Sequence, residues 1–496
     1  MEPRTKYAIA LAVLMLVVLG VRLAVTFQAE QPSYQSYFAV IQAESIRETG
    51  LPRYDDPYSY EGRRYAFSPL YYYVIAAFTF FVPPPLAVKV LPSLFMAGLV
   101  PLIYLIGHHL TKNRGVSFLA ALFAGFSQAL FVSASDAAPL SLALPLAAAL
   151  LLSLLDLEQH PVRALLLAAA LTFVSPLIWL FLAAEIVYLV ILAAERLTIS
   201  VKHLEAALFM FLLAAWYTLL TYKEPLRRYG LALLSESLPQ SVRQATFAEF
   251  TLLAMIYAVG LVPLALASLS LYHTAFEERN RSIFLVAALG LVVLLAASLQ
   301  LLPLPVALIL LNLVFVILSA PGLHLLAVYL RKTRFEWLRR PLIVALLLLF
   351  LLTSLLPAIA AGLYPDISPK RNELLALSWL RDHTADSSVI LAAPKTGFLI
   401  NEEARRKYVA DEEYLLIANP DAILADIDAA YTTPSTVRAV EITAKYGVTH
   451  IFMGSQEHTR YSQFGAIIKD PTCFPLVYRN PQVLVFGVNC TVEARQ

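Results

Sequence analysis

About eleven apolar stretches of near-membrane length lie before residue 364 of this chain and none lies after it, an asymmetry that bounds every other reading. A helix needs roughly 20 apolar residues to cross a ~30 Å hydrocarbon layer. The segments are 6–27, 87–109, 115–134, 138–156, 163–180, 181–195, 203–221, 249–271, 282–300, 303–330 and 341–363. With 59% apolar and 15% charged residues, the 496-residue chain has more apolar surface than one water-soluble core buries. The expected fold class is therefore a polytopic α-helical membrane protein carrying a C-terminal α/β domain. A formal charge of +2, from 37 basic and 35 acidic residues, argues against a nucleic-acid partner. The first segment is too long for a signal peptide, and Phe27-Gln28-Ala29-Glu30 is not a small-residue cleavage site, so it reads as a retained anchor.

Orientation follows from where Lys and Arg fall in short loops. Arg4 and Lys6, Lys112 and Arg114, Arg163, Arg196 and Lys202, Arg279 and Arg281, and the run Arg331 to Arg340 all share one side if 28–86 is a single long external loop. That side is expected to be cytoplasmic, with the N-terminus. An odd number of spans then puts the C-terminal segment outside a cell membrane crossed many times. Within 28–86, Ser68 to Val82 is short for crossing, and its Tyr71-Tyr72-Tyr73 cluster suits the headgroup zone. The expected domains are a membrane unit, 1–364, with external loops at 28–86 and 222–248, and a soluble unit, 365–496.

Charges return abruptly at Pro365, and helical and strand periods alternate. Helices are expected at Leu374 to His383, Asp421 to Ala430 and Ser435 to Lys445, with strands at Val389 to Ala392 and His450 to Met453. Phe474 to Tyr478 and Val483 to Val488 read as a hairpin around Arg479-Asn480-Pro481-Gln482, which sets Cys473 opposite Cys490. These two cysteines are too few for a zinc knuckle or an iron–sulfur cluster. A bridge between them would stabilise the domain by ~3 kcal/mol; the alternative is two unpaired buried thiols. Asn489-Cys490-Thr491 is also a glycosylation sequon, of low specificity.

An enzyme acting on lipid-borne substrate must meet it at the membrane surface, so acids at the external ends of spans are the candidates. Glu30, Glu44, Glu48, Asp55 and Asp56 lie in the first external loop, Asp136 in the turn Ser133 to Ala137, and Glu236 in Leu234-Ser235-Glu236-Ser237-Leu238-Pro239. Carboxylates gathered from separate loops can hold Mg²⁺ or Mn²⁺, which neutralises a leaving phosphate. The plainer reading of Asp136 is a helix N-cap, and of Glu236 a solvated loop residue. Glu185 and Arg22 fall within spans, where burial costs at least a few kcal/mol. They read either as functional, or as a Glu–Arg pair or an acid kept protonated that holds helices together. His108 and His109 read as interfacial residues.

The loop motifs resemble those of the GT-C glycosyltransferases that use polyprenyl-linked sugars, most closely the catalytic subunit of the archaeal and eukaryotic oligosaccharyltransferase. The matching runs are Tyr37 to Gly50, Tyr54-Asp55-Asp56-Pro57, Glu61-Gly62-Arg63, Val132 to Leu140, and Ser235-Glu236-Ser237-Leu238-Pro239. Trp379-Leu380-Arg381-Asp382-His383-Thr384 and Val389-Ile390-Leu391 are similar to the lead-in of the family's Trp-Trp-Asp-Tyr-Gly signature. The signature itself is replaced by Ala393-Pro394-Lys395-Thr396-Gly397. The leading acid of the first loop is absent near Gln31-Pro32-Ser33, and Ala137-Ala138-Pro139 stands where the partner of Asp136 belongs.

The resemblance implies transfer of a sugar from a polyprenyl-phosphate or polyprenyl-pyrophosphate carrier, at the outer membrane face, to a protein or glycan acceptor. Asp136 and Glu236 are the implied catalytic and metal-binding acids. Glu30, Asp55, Asp56, Arg63 and Lys395 are the expected substrate contacts. The missing acids motivate a second reading, an inactive relative that binds lipid-linked sugar or assists partner membrane subunits. A transporter is the third, motivated by Glu185 and opposed by the long external loops.

Overall fold

The computed structural model describes residues 3–60, 62–133, 136–230, 239–249, 251–276, 279–333, 336–362, 368–461 and 463–491. Six helices in this set are individually long and apolar enough to cross a membrane: Thr5–Thr26, Pro84–Thr111, Val201–Thr221, Arg281–Ser298, Leu304–Lys332 and Arg340–Ala360. A seventh candidate is the pair Leu252–Val259 and Leu261–Phe276, bent by 82°. Shorter apolar helices occupy Arg114–Phe126, Leu140–Leu155, Pro161–Val174 and Ile178–Ala194. Each expected segment thus carries an apolar helix or helix pair, but four are shorter than a full crossing.

Burial separates core from periphery. In the most apolar 18-residue window of Leu304–Lys332, 78% of residues are buried, against 22% and 17% in the corresponding windows of Thr5–Thr26 and Arg340–Ala360. Their exposed Leu16, Val17, Leu348 and Leu352 face outward. So large an apolar surface is stable only against lipid. Close approach to Leu304–Lys332 depends on Gly322, where a Cβ would sit 2.1 Å from Leu266 O.

Two breaks in the helices explain the buried polar groups. The 115–134 segment divides at Ser127 into Arg114–Phe126 and Gln128–Val132. Carbonyls at helix ends lack helical partners, and Arg22 supplies them, donating from Nη1 to Phe131 O at 3.2 Å and from Nη2 to Leu130 O at 3.0 Å and Gly125 O at 3.4 Å. The bend of the seventh pair falls at Gly260, whose φ of 90° suits glycine alone. Asn312 Nδ2 donates to the Val259 carbonyl at this bend, and Asn312 Oδ1 accepts from Ser127 Oγ at 2.6 Å. A Glu–Arg pair is not formed, because Arg22 is spent on main-chain carbonyls and Glu185 is hydrogen-bonded to His203 Nδ1.

Between the first two long helices, Ser36–Thr49 ends on Gly50 in the left-handed region (φ 79°), whose N–H donates to Ile46 O at 2.8 Å. A two-residue ladder follows, β1 (Asp55–Asp56) antiparallel to β2 (Arg63–Arg64). The helix Leu70–Phe78 has nine residues and reaches only about 14 Å at 1.5 Å per residue, so Ser68 to Val82 does not provide a crossing helix.

The C-terminal region is α/β. Its sheet runs in the order β4-β3-β5-β7-β6, from β3 (Val389–Leu391), β4 (Lys407–Tyr408), β5 (His450–Met453), β6 (Leu476–Arg479) and β7 (Leu484–Gly487). β3 pairs parallel with β4 and β5, and the last two pairings are antiparallel. Helices Arg371–His383, Pro420–Thr432 and Thr436–Lys445 stand where the periodicity places them. In the hairpin, Val483 N donates to Asn480 Oδ1 at 2.8 Å, and Cys473 is bonded to Cys490, with Cα atoms 4.8 Å apart.

Candidate active site

The first loop and the C-terminal region are joined by buried polar groups rather than by apolar packing alone. Asp56, 2% exposed, accepts from Tyr65 Oη at 2.8 Å, Tyr408 Oη at 2.7 Å, Asn401 Nδ2 at 3.1 Å and Tyr58 N at 3.0 Å. Asp411, 1% exposed, accepts from Tyr408 Oη at 2.9 Å and Glu413 N at 2.8 Å and is ion-paired with Arg63. Burial pushes the Asp411 carboxyl up, against the pull of Arg63. This latch fixes residues 408–413 against the loop.

A second set of bonds fixes residues 393–396. Glu457 accepts from Ala393 N at 2.7 Å and Gly454 N at 2.8 Å, and burial holds its carboxyl up at about 7. Beside it Glu373 accepts from Tyr34 Oη at 2.8 Å and Ser455 N at 2.7 Å. Tyr34 belongs to the first loop and lies between Ser33 and Gln35. The turns that carry Lys395 and Glu412 are therefore each anchored by buried acids.

Between these anchors, groups from three distant stretches converge. Burial raises the Asp136 carboxyl above the usual range, while a hydrogen bond with Ser33 and the positive charge of Lys395 pull it down. Burial raises the Glu412 carboxyl too, against the positive charge of Lys395 and a hydrogen bond with Gln35, and the negative charge of Asp136 adds to the rise. Its Oε2 is buried and has no hydrogen-bond partner among the described residues. Asp136 and Glu412 nevertheless keep intermediate exposure, and Lys395 is exposed.

Of the residues singled out in the sequence, Asp136 and Lys395 are brought together. Asp136 is not the cap of the next helix, whose N-cap is Pro139 with no side-chain capping bond. Asp56 and Arg63, expected as substrate contacts, are both bonded within the latch, and Arg63 Nε is buried with no partner among the described residues. Asp55 is exposed in β1, opposite Arg64. Glu30 is exposed, and its carbonyl, not its carboxylate, accepts from Lys89 Nζ at 3.2 Å. Glu236 and its neighbours 231–238 lie outside the described residues. Glu412 was missed, although the acidic run Asp411-Glu412-Glu413 was a signal that could have found it.

Among the described residues, no group of three His, Cys, Asp or Glu could hold a metal ion. Two carboxylates already facing an ammonium are a poor cage for a hard cation, which takes six or more oxygens. Glu236, the other acid expected in a Mg²⁺ or Mn²⁺ site, lies outside the described residues.

No protein-family model matches the sequence, and no curated protein does. Solved structures do match in fold. The oligosaccharyltransferase AglB from Archaeoglobus fulgidus, in complex with an inhibitory peptide and a dolichol-phosphate, superposes with a TM-score of 0.62 at 14% identity, over 88% of this chain and 69% of that one. An A. fulgidus oligosaccharyltransferase in complex with Zn and sulfate gives 0.61 at 14% identity, over 96% and 73%. ArnT from Cupriavidus metallidurans bound to undecaprenyl phosphate gives 0.54 at 12%, over 97% and 98%. The helical bundle, the first loop latched to a sheet-containing C-terminal region and these likenesses together show that the chain has the fold of the GT-C glycosyltransferases, as its loop motifs lead one to expect.

Proposed function

We propose that this protein transfers a sugar from a polyprenyl-phosphate or polyprenyl-pyrophosphate carrier to a protein or glycan acceptor at the extracytoplasmic face of a membrane. The observation that carries this reading is that Asp136, Lys395 and Glu412, far apart in sequence, lie within electrostatic reach of one another. The neighbours whose structures contain dolichol-phosphate and undecaprenyl phosphate support it. An acceptor nucleophile attacks the anomeric carbon, and the bond from that carbon to the phosphate oxygen breaks with its electron pair on the phosphate. The positive charge of Lys395 offsets the negative charge that develops there. Asp136 takes the proton from the nucleophile, since a desolvated carboxylate is a stronger base than one in water. Glu412 orients the acceptor. No step is derived through a metal. The positive-inside distribution supports an external C-terminal domain.

Purified protein given radiolabelled sugar on each carrier should release or transfer it. Asp136→Asn should slow turnover by about 10²–10⁴-fold, and Lys395→Met by about 10²–10³-fold. Full activity in both variants would sink the assignment. The absence of a partner acid at Ala137-Ala138-Pro139 favours a second reading, a noncatalytic protein that binds lipid-linked sugar. Its signature is tight binding of the carrier with no turnover on any donor.

A further inference from the structure

The latch residues Arg63, Tyr408 and Asp411 also wall a separate cavity of about 450 Å³, completed by Tyr60, Arg228 and Asn419. That volume is in the range of small-molecule sites, and the cavity plays no part in the transfer chemistry above. Its charges do not cancel. Arg63 is neutralised by Asp411, and Lys445, on the same wall, by Asp426 at 2.6 Å. Arg228, which comes from the stretch after the helix Val201–Thr221, donates to Leu416 O at 2.9 Å and is exposed, with no carboxylate partner among the described residues. Tyr60 packs edge-to-face on Tyr446, ring centroids 5.1 Å apart, and remains half-buried. The lip between them is strained, since Leu416 and Asn419 hold φ of 69° and 50°, and a leucine adopts such a conformation only where its surroundings impose it.

An aromatic wall, a guanidinium with no carboxylate partner among the described residues and main-chain carbonyls suit a pyranose ring that carries a carboxylate. The ring packs its C–H face on the tyrosine, and the carboxylate takes the planar two-pronged bond that arginine forms. We infer that this cavity is a saccharide subsite selective for an acidic sugar. The assignment of that sugar to donor or acceptor glycan rests on the transferase reading; the binding itself does not.

The test is saturation-transfer NMR on the full-length protein in detergent micelles, with methyl glucuronide and methyl glucoside as probes. Saturable glucuronide binding is expected. Arg228→Gln should weaken it by about tenfold, the loss of one charge-assisted contact, and leave the glucoside unchanged. Tyr60→Leu should weaken both sugars. Failure of glucuronide to saturate, indifference to both substitutions, or displacement by inorganic phosphate at equal concentration with no effect of Tyr60→Leu would each overturn the inference. Loss of transfer in Asp136→Asn with glucuronide binding retained would separate this site from the catalytic one.

Discussion

Tyr408→Phe removes one oxygen atom from the latch and leaves a ring that is 1% exposed in place. Two buried carboxylates share two tyrosine hydroxyls, which lie 3.1 Å from each other. The Tyr408 hydroxyl is 2.7 Å from Asp56 and 2.9 Å from Asp411, while Tyr65 is 2.8 Å from Asp56 and 3.3 Å from Asp411. In the variant a single hydroxyl proton, that of Tyr65, remains for two acids. Asp56 keeps Asn401 and Asp411 keeps Arg63, so the loss is that of one hydrogen bond to a charged group, about 1.5–3 kcal/mol. The energy falls on the joint between first loop and sheet domain, not on the membrane helices. Hydrogen exchange followed by mass spectrometry should therefore show residues 55–65 and 408–413 opening roughly ten- to hundredfold more often, with the helix Leu304–Lys332 unchanged. Exchange that is unaltered, or raised evenly across the chain, would refute the idea that these hydroxyls hold the joint.

Other outcomes follow from neighbouring features. Gly397→Ala would put a Cβ 2.6 Å from Ala410 O and 2.8 Å from Asp411 Cβ, so main chain must move; a loss of about 1–3 kcal/mol in thermal unfolding is expected, and an unchanged melting temperature would count against the close approach. Removing the Cys473–Cys490 bridge, which spans 17 positions, should cost ~3 kcal/mol, read as earlier thermal exposure of the C-terminal domain under reductant. Glu402 is pushed up to about 7 by burial and by Glu44. Its folded value exceeds the unfolded one, so its favourable contribution is complete below pH ~4.5 and is lost as pH rises through about 7. Glu44→Gln should flatten this decline between pH 5 and 8 by about 1 kcal/mol after solvent screening; a parallel pH profile for variant and parent would exclude the coupling.

The apolar stretches and the abrupt return of charge at Pro365 were enough to place the helices and the α/β region, because a bilayer accepts only long runs of apolar side chains and a sheet needs alternating ones. β5 was readable to the residue, while the two-residue β4 was too short to carry a period. Asp136 was legible as an acid isolated in an apolar turn. Its partners were not, since Lys395 and Glu412 lie more than 250 positions away and only the docking of the first loop brings them near. Neither could the sequence divide its first-loop acids into the buried Asp56 and the exposed Asp55, adjacent residues of one strand that point to opposite faces. What a carboxylate does depends on whether folding gives it protein donors or leaves it facing a recess, and that is a property of three-dimensional neighbours that no local pattern encodes.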